Sequence, residues 1–243
     1  MIFRAFQRFE TGCAAYVFGC GGQGVCAVVD PRADDLEAYL AFAAAKAMRI
    51  TQVLETHVHA DHRSGGRALA ERTGAAYRLH RSADVAFPFQ PVDDGERIEI
   101  GNTIITVMHT PGHTPDSVSL LVSDLRRGPA PWFVCTGDTL FVSATGRPDL
   151  PGDTAASAAA LHGSLQRLLA LPDEVEVYPA HFSGSACGAG MSGKPSSTIG
   201  FERRHNPLLR LPRAAFVDAA GQGIPDRPVD MARLVAHNQG RAP

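Results

Sequence analysis

The chain has 243 residues, of which 44% are hydrophobic and 20% charged. This composition is typical of globular proteins and excludes the collagen-like, disordered and coiled-coil classes. Lys and Arg number 23 against 25 Asp and Glu, so a formal net charge of -2 provides no basic surface for nucleic acid or anionic lipid. We therefore expect no nucleic acid and no membrane among the partners of this protein.

The sequence is not divided by a Pro/Gly/Ser-rich linker, and its length suits one layered α/β domain. We predict a single domain, residues 1–243, in which residues 207–243 form a C-terminal extension. The five cysteines lack CxxC spacing, and the sequence shows neither a signal-peptide pattern nor the run of about 18 apolar residues that a membrane span requires. A cytoplasmic location fits these features best.

Hydrophobic periodicity predicts alternating groups of strands and helices. Apolar runs bounded by glycine or proline indicate strands, and apolar residues at helical spacing indicate helices. In chain order, the elements are strands at 14–19 and 24–30, a helix at 34–48, a strand at 50–56, a helix at 66–73, strands at 97–100, 103–109, 118–122 and 132–136, a helix at 155–170, a strand at 174–178 and helical stretches after Ile199, at 213–219 and at 229–237. Each half of this series contains several strands followed by helices. Such an order predicts two packed sheets with helices on the outside, because the second face of each sheet must be covered.

Histidine and aspartate residues are concentrated where predicted strands end. The loop after the strand at 50–56 and three later strand ends contain seven of them: His57, His59, Asp61, His62, His113, Asp138 and His181. A single histidine is usually a satisfied core or surface residue, and TPGHT at 110–114 or TGD at 136–138 alone is consistent with a hairpin turn. Clustered imidazoles and carboxylates, however, are stabilised by a cation, so the combined pattern predicts a metal site.

Four segments together resemble the metallo-β-lactamase superfamily. They are THVHADH at 56–62, HTPGHT at 109–114, CTGDTLF at 135–141 and YPAH at 178–181. The resemblance covers residues from about 13 to 206. It implies an α/β fold, the αββα sandwich of two mixed β-sheets flanked by helices, with the metal at one edge of the sheets. The superfamily includes hydrolases with two zinc ions and a dioxygenase branch with one iron, so membership leaves the reaction open.

Smaller motifs favour the dioxygenase branch. GRPDL at 146–150 resembles a segment of the persulfide dioxygenases, also called sulfur dioxygenases, and residues 109–122 and 181–209 resemble bacterial members. The Cys-Gly-Arg triplet of animal and plant members is replaced here by Thr145, Gly146 and Arg147, so no role of that cysteine is transferred.

The resemblance implies one Fe(II) per chain, held by His57, His113 and Asp138. Four other residues, His59, Asp61, His62 and His181, then hydrogen-bond the ligands or water. The alternative is a glyoxalase II-like hydrolase of glutathione thiolesters, in which the same four residues complete two Zn(II) sites and Asp138 bridges the ions.

The implied reaction oxidises glutathione persulfide, or a similar low-molecular-weight persulfide, with O2 to sulfite and free thiol. Arg147 is the candidate for binding a glutathione carboxylate, although a role in satisfying loop carbonyls is equally consistent with the sequence. Cys187 follows a small-residue segment that suggests access to the metal pocket, but most free cysteines are buried packing residues. A non-catalytic metal-binding or sulfur-carrier module is a further alternative, and the stretch at 213–243 leaves packing in a homo-oligomer open.

Overall fold

Two six-stranded sheets form the centre of the computed structural model, which describes residues 1–150, 152–224 and 226–241. The first sheet contains β1 (Ile2–Arg8), β2 (Cys13–Cys20), β3 (Val25–Val29), β4 (Arg49–Leu54), β5 (Ala76–His80) and β6 (Gln90–Val92). The second contains β7 (Arg97–Ile100), β8 (Thr103–His109), β9 (Val118–Asp124), β10 (Pro131–Gly137), β11 (Glu176–Pro179) and β12 (Ser197–Thr198). In each sheet, strands adjacent in the chain are neighbours in space.

The helices cover the outer faces of both sheets. They are α1 (Leu36–Ala45), α2 (Gly66–Thr73), α3 (Thr154–Leu169), α4 (Ile199–His205), α5 (Arg213–Ala220) and α6 (Met231–Asn238). Among the helices of the described ranges, none has the length and apolar character needed to cross a membrane.

Strand β2 shows why the layers pack in this order. All eight of its residues are buried. Because alternate side chains point to opposite faces, Tyr16 and Phe18 join the core between the sheets, whereas Ala15 and Val17 pack under the helices. The α/β sandwich of two mixed sheets predicted from the sequence is therefore confirmed.

The sheet topology brings the ends of four strands to one edge. Strands β3 and β4 are parallel, as are β10 and β11. Strand β9 is antiparallel to both β8 and β10, so β8 and β10 run in the same direction. The loops that follow β4, β8, β10 and β11 consequently meet at this edge, and they contain the predicted site.

Three strands of the first sheet were not predicted from the sequence. The edge strand β1 carries Arg4, Gln7 and Arg8 among its apolar residues, which weakens the apolar pattern of a strand. Strand β6 has three residues and includes Pro91, a residue tolerated at the edge of a sheet. Strand β5 begins three residues after α2 and is also short.

The C-terminal extension packs against the rest of its own chain. Helix α5 places Phe216 in the core beneath α3 and the second sheet. Helix α6 lies against the loop that follows β4, where Asn238 is buried.

Candidate metal centre

Three side chains from different loops meet at the edge of the sheets. His57 follows β4, His113 follows β8 and Asp138 follows β10, and their ligand atoms lie within 4.8 Å of one another. Asp138 Oδ2 is 3.3 Å from His113 Nε2 and 3.9 Å from His57 Nε2. An ion about 2 Å from each ligand atom places neighbouring ligand atoms about 3 Å apart. A small movement therefore allows all three atoms to bind one ion.

The same three atoms lack a hydrogen-bond partner among the described residues, although all are buried. Leaving one buried polar atom unpaired costs about 1–3 kcal/mol. Three such atoms facing one point therefore indicate a group that binds them. Two imidazoles and one carboxylate form the set that non-haem Fe(II) oxygenases use, so these residues fit a metal ion.

The other nitrogen of each imidazole fixes its orientation. His57 Nδ1 is 3.0 Å from the hydroxyl of Thr56, which in turn donates to Asp30. His113 Nδ1 donates to the carbonyl oxygen of Arg147 at 2.9 Å. Burial lowers the pKa of both His57 and His113, so both are held neutral with Nε2 available as a ligand.

His181 links Asp138 to a second group of residues. Its Nδ1 lies 2.6 Å from Asp138 Oδ1, and its Nε2 lies 2.8 Å from Asp61 Oδ2. Burial alone lowers the pKa of His181, but these two carboxylates raise it well above its ordinary value. Asp61 also accepts a hydrogen bond from His62 Nδ1 at 3.1 Å, whereas His62 Nε2 has no partner within the described ranges.

His59 belongs to a third cluster beside the ligands. Its Nε2 lies 3.1 Å from Asp30 Oδ1 and 3.2 Å from Glu55 Oε2, while its Nδ1 is unpaired in the described part of the chain. Burial lowers the pKa of His59, but the two carboxylates raise it well above its ordinary value. Asp30 also accepts from the Thr56 backbone N–H at 2.7 Å, and it thereby orients both His57, through Thr56, and His59.

Sequence reasoning missed Asp30 and Glu55. Each directly follows a buried strand, β3 and β4 respectively, which is the same signal that indicated Asp138. Both carboxylates are buried.

Two cysteines lie near His181. Cys13 pairs through its backbone with His181, and its thiol lies 3.4 Å from Asp61 Oδ2. Cys187 lies within 4.8 Å of ligand atoms of His181 and Asp138. Cys187 therefore lies near the metal pocket, and it is 1% exposed and packs against Phe141, as in the buried packing role that the sequence also allowed. Burial raises its pKa to about 12.

The guanidinium of Arg147 is engaged by its own loop and by the loop that follows β11. Arg147 donates to both carboxylate oxygens of Asp149, at 2.7 and 2.9 Å, and to the carbonyl oxygen of Ala186 at 3.0 Å. These contacts favour the structural role that the sequence left open, and binding of substrate by Arg147 stays a prediction. Gly146 is required next to it because a Cβ there would clash with the Asp138 carbonyl oxygen.

Helix α4 supports the loop between Asp138 and Arg147. Glu202 accepts a hydrogen bond from the Ser143 backbone N–H at 2.9 Å, and Asn206 Nδ2 donates to the Ala144 carbonyl at 3.2 Å. Glu202 and Asn206 therefore support the residues just before the GRPDL segment, from outside the metal centre.

A cavity of about 630 Å³ lies beside the loop that follows β4. Its walls are largely apolar and come from five parts of the chain, namely the loops near Val58, Ser82 and Thr114, then Leu150, and the segment from Arg227 to Gln239. Helix α6 contributes Met231 and Val235. The C-terminal extension thus forms one side of this cavity, next to the loop that follows β4.

The sequence profile of the metallo-beta-lactamase superfamily matches residues 8–181. A solved metallo-beta-lactamase from Staphylococcus aureus is 32% identical, with a TM-score of 0.93 over 98% of this chain and 72% of that one. ETHE1 from Myxococcus xanthus is 31% identical, with a TM-score of 0.85 over 99% of this chain and 100% of that one. A hydroxyacylglutathione hydrolase from Anaeromyxobacter dehalogenans is 33% identical over 90% of this chain and 91% of its own.

Other curated relatives are longer than this chain. The chain spans 58% and 53% of the beta-lactamase hydrolase-like proteins from Agrobacterium fabrum and Xylella fastidiosa, to which it is 29% and 30% identical. These relatives contain further sequence outside the matched region.

Proposed function

Because this chain belongs to the metallo-beta-lactamase superfamily and contains a buried His/Asp site, we propose that it is a persulfide dioxygenase with one Fe(II) per chain. The proposed reaction oxidises glutathione persulfide, or a similar low-molecular-weight persulfide, with O2 and one water molecule to sulfite and free thiol. His57, His113 and Asp138 would hold the iron.

The difference between the two groups of candidate ligands carries this proposal. His57, His113 and Asp138 direct three unpaired atoms to one point. In the second group, by contrast, both nitrogens of His181 are engaged by carboxylates, and Asp61 contacts both His181 and His62. The residues of this second group satisfy most of their own hydrogen bonds, so they need a second ion less than the three unpaired atoms need the first. Their role is then to orient the metal ligands by hydrogen bonding.

The comparisons support the same reading without deciding it. ETHE1, a persulfide dioxygenase, matches this chain over nearly the whole length of both. The hydroxyacylglutathione hydrolase is similarly related at 33% identity, so overall identity does not separate the two reactions. The GRPDL segment at 146–150, whose backbone orients His113, adds weight to the dioxygenase.

Ferrous iron, when bound, would bring the persulfide sulfur and O2 together and pass the electrons of that sulfur to O2. The chain's own residues provide orientation in a buried site. Burial keeps the two imidazoles neutral, Thr56 and the Arg147 carbonyl orient them, and His181 holds a proton against Asp138 Oδ1. The neighbouring apolar cavity would accommodate the part of the substrate that does not react.

A dinuclear zinc hydrolase of glutathione thiolesters is the second candidate. It is favoured by His62 Nε2, which is buried and unpaired in the described residues, in a cluster with Cys13, Asp61 and His181. Rotation of His181 away from its carboxylates would free this cluster for a second ion.

One pair of assays separates these candidates. Metal-free protein is reconstituted anaerobically with Fe(II) or with Zn(II), and each form is tested for O2 uptake with glutathione persulfide and for hydrolysis of S-lactoylglutathione. The proposal expects the iron form to consume O2 and release sulfite, with no uptake when glutathione replaces the persulfide. Thiolester hydrolysis by the zinc form, without persulfide oxidation by the iron form, would contradict it.

A further inference from the structure

The loop from His59 to Ser64 has no regular secondary structure, yet it carries three of the seven candidate residues, His59, Asp61 and His62. Its end is tied to the segment that follows β3, because Arg32 pairs with Ser64 and Gly65 N donates to the Pro31 carbonyl. Its centre requires another support.

That support is Asn238, the last residue of α6. Its Nδ2 donates to the carbonyl oxygens of His59 at 2.9 Å and His62 at 2.8 Å, and its Oδ1 accepts from the Ser64 backbone N–H at 2.9 Å. Both amide hydrogens and the amide oxygen are thereby used, and Asn238 is 9% exposed. One side chain, distant in sequence by more than 170 residues, spans the whole loop.

We propose that Asn238 is a positioning residue of the metal centre. In this proposal, the C-terminal segment 226–241 belongs to the site because it holds the loop from His59 to Ser64 in place. The loop that Asn238 holds contacts the ligands at two points. The rings of His59 and His57 lie 4.2 Å apart, and Asp61 contacts His181, which contacts Asp138. A shift of the loop is therefore transmitted to two of the three ligands.

Contacts with residues 84–87 anchor the C-terminal segment, so that it can hold the loop from His59 to Ser64. The Gln239 carbonyl accepts from Ala86 N at 2.8 Å, Arg241 pairs with Asp84, and Gly240 packs against Phe87. Met231 and Val235 of the helix line the same cavity as Val58 and Ala60. Helix α6 thus contacts the loop from His59 to Ser64 and also forms one wall of the cavity.

The inference rests on the metal centre of the proposed function but not on the reaction performed there. It is tested on metal-free protein by measuring the affinity for Fe(II) and, separately, for Zn(II) in competition with a chelator. Asn238→Ala removes all three hydrogen bonds. Asn238→Asp keeps the size and the acceptor for Ser64 but removes the donor to His59 and His62. Arg233→Ala, an exposed change in the same helix, is the matched control.

We expect both Asn238 variants to bind each metal about 10- to 100-fold more weakly, as is typical for residues that orient ligands, and Arg233→Ala to bind as wild type. A role in folding alone would lower the melting temperature and leave metal affinity unchanged, and that result would overturn the proposal. Affinity for both metals is independent of which substrate is turned over, so failure here is distinct from failure of the dioxygenase assignment.

The wild-type protein provides a readout that does not depend on the variants folding. Coupling between two sites is reciprocal, so metal binding should slow amide hydrogen exchange in peptides covering 231–239 as well as 57–65. A metal that protects 57–65 but leaves exchange in 231–239 unchanged would also overturn the proposal.

Discussion

Replacement of Asp30 by asparagine tests how far the ligands depend on residues that do not touch the metal. Asp30 is buried and accepts hydrogen bonds from Thr56 N at 2.7 Å, Thr56 Oγ1 at 2.9 Å and His59 Nε2 at 3.1 Å. Its φ is +51°, a conformation that asparagine tolerates as well as aspartate. The substitution therefore changes the carboxylate without straining the backbone.

In Asp30→Asn, an NH2 group replaces one carboxylate oxygen of residue 30. A hydrogen-bond donor would then face a donor group of Thr56 or His59. One unsatisfied buried group costs about 1–3 kcal/mol, and each kcal/mol lowers the melting temperature of a protein this size by about 2–4 °C. Loss of a partner that orients a ligand typically weakens metal binding about 10- to 100-fold. Asp30→Asn should show both effects.

Chelator competition measures the metal affinity, and thermal unfolding of the metal-free form measures the stability. Asp173→Asn, which removes an exposed partner of Arg204, is the control and should leave metal affinity unchanged. Wild-type metal affinity in Asp30→Asn, with or without a lower melting temperature, would refute the argument that Asp30 orients the ligands.

Three further outcomes follow from the site. Asp138→Ala should abolish iron binding, measured by elemental analysis, because the two remaining imidazoles supply no anionic ligand; full occupancy would show that the wrong triad was chosen. Arg147→Ala should lower the melting temperature while KM for the persulfide stays constant, and a raised KM would restore the substrate-binding role. The hydrogen bond from Arg147 lowers the pKa of Asp149 in the folded protein. The pair therefore stabilises the fold above the ordinary carboxyl pKa of about 4. This stabilisation is lost as the pH falls through the lower pKa that Asp149 has in the folded state. The difference in melting temperature between wild type and Arg147→Ala should therefore shrink in acid. Cys187, with a pKa of about 12, should resist alkylation at pH 8 in the folded protein, detected by mass spectrometry, and rapid labelling would contradict its burial.

Local patterns in the sequence predicted much of the fold. Helix α2 and strands β7 and β8 were predicted at the bounds observed, since each is a periodic run ended by a turn residue. The strand ends also located the triad, because ligands at a sheet edge follow buried strands. The fold then placed His57, His113 and Asp138 together, as the resemblance implied.

What the sequence did not reveal depends on contacts between distant parts of the chain. Asn238 lies in helix α6 and binds a loop 174 residues earlier in the chain. The sequence pattern of the helix does not indicate this contact. Cys13 gained its place near Asp61 from strand pairing with His181, which no local signal records. The carbonyl of Arg147, and not its charged group, contacts a ligand residue, and backbone roles of this kind are independent of side-chain identity.

The most direct test of the account is the metal content of protein purified anaerobically, combined with sulfite formation from glutathione persulfide by that same sample. The account predicts iron near one per chain, with sulfite produced in proportion to the iron bound. Two zinc ions per chain, in a sample that hydrolyses S-lactoylglutathione and forms no sulfite, would contradict it.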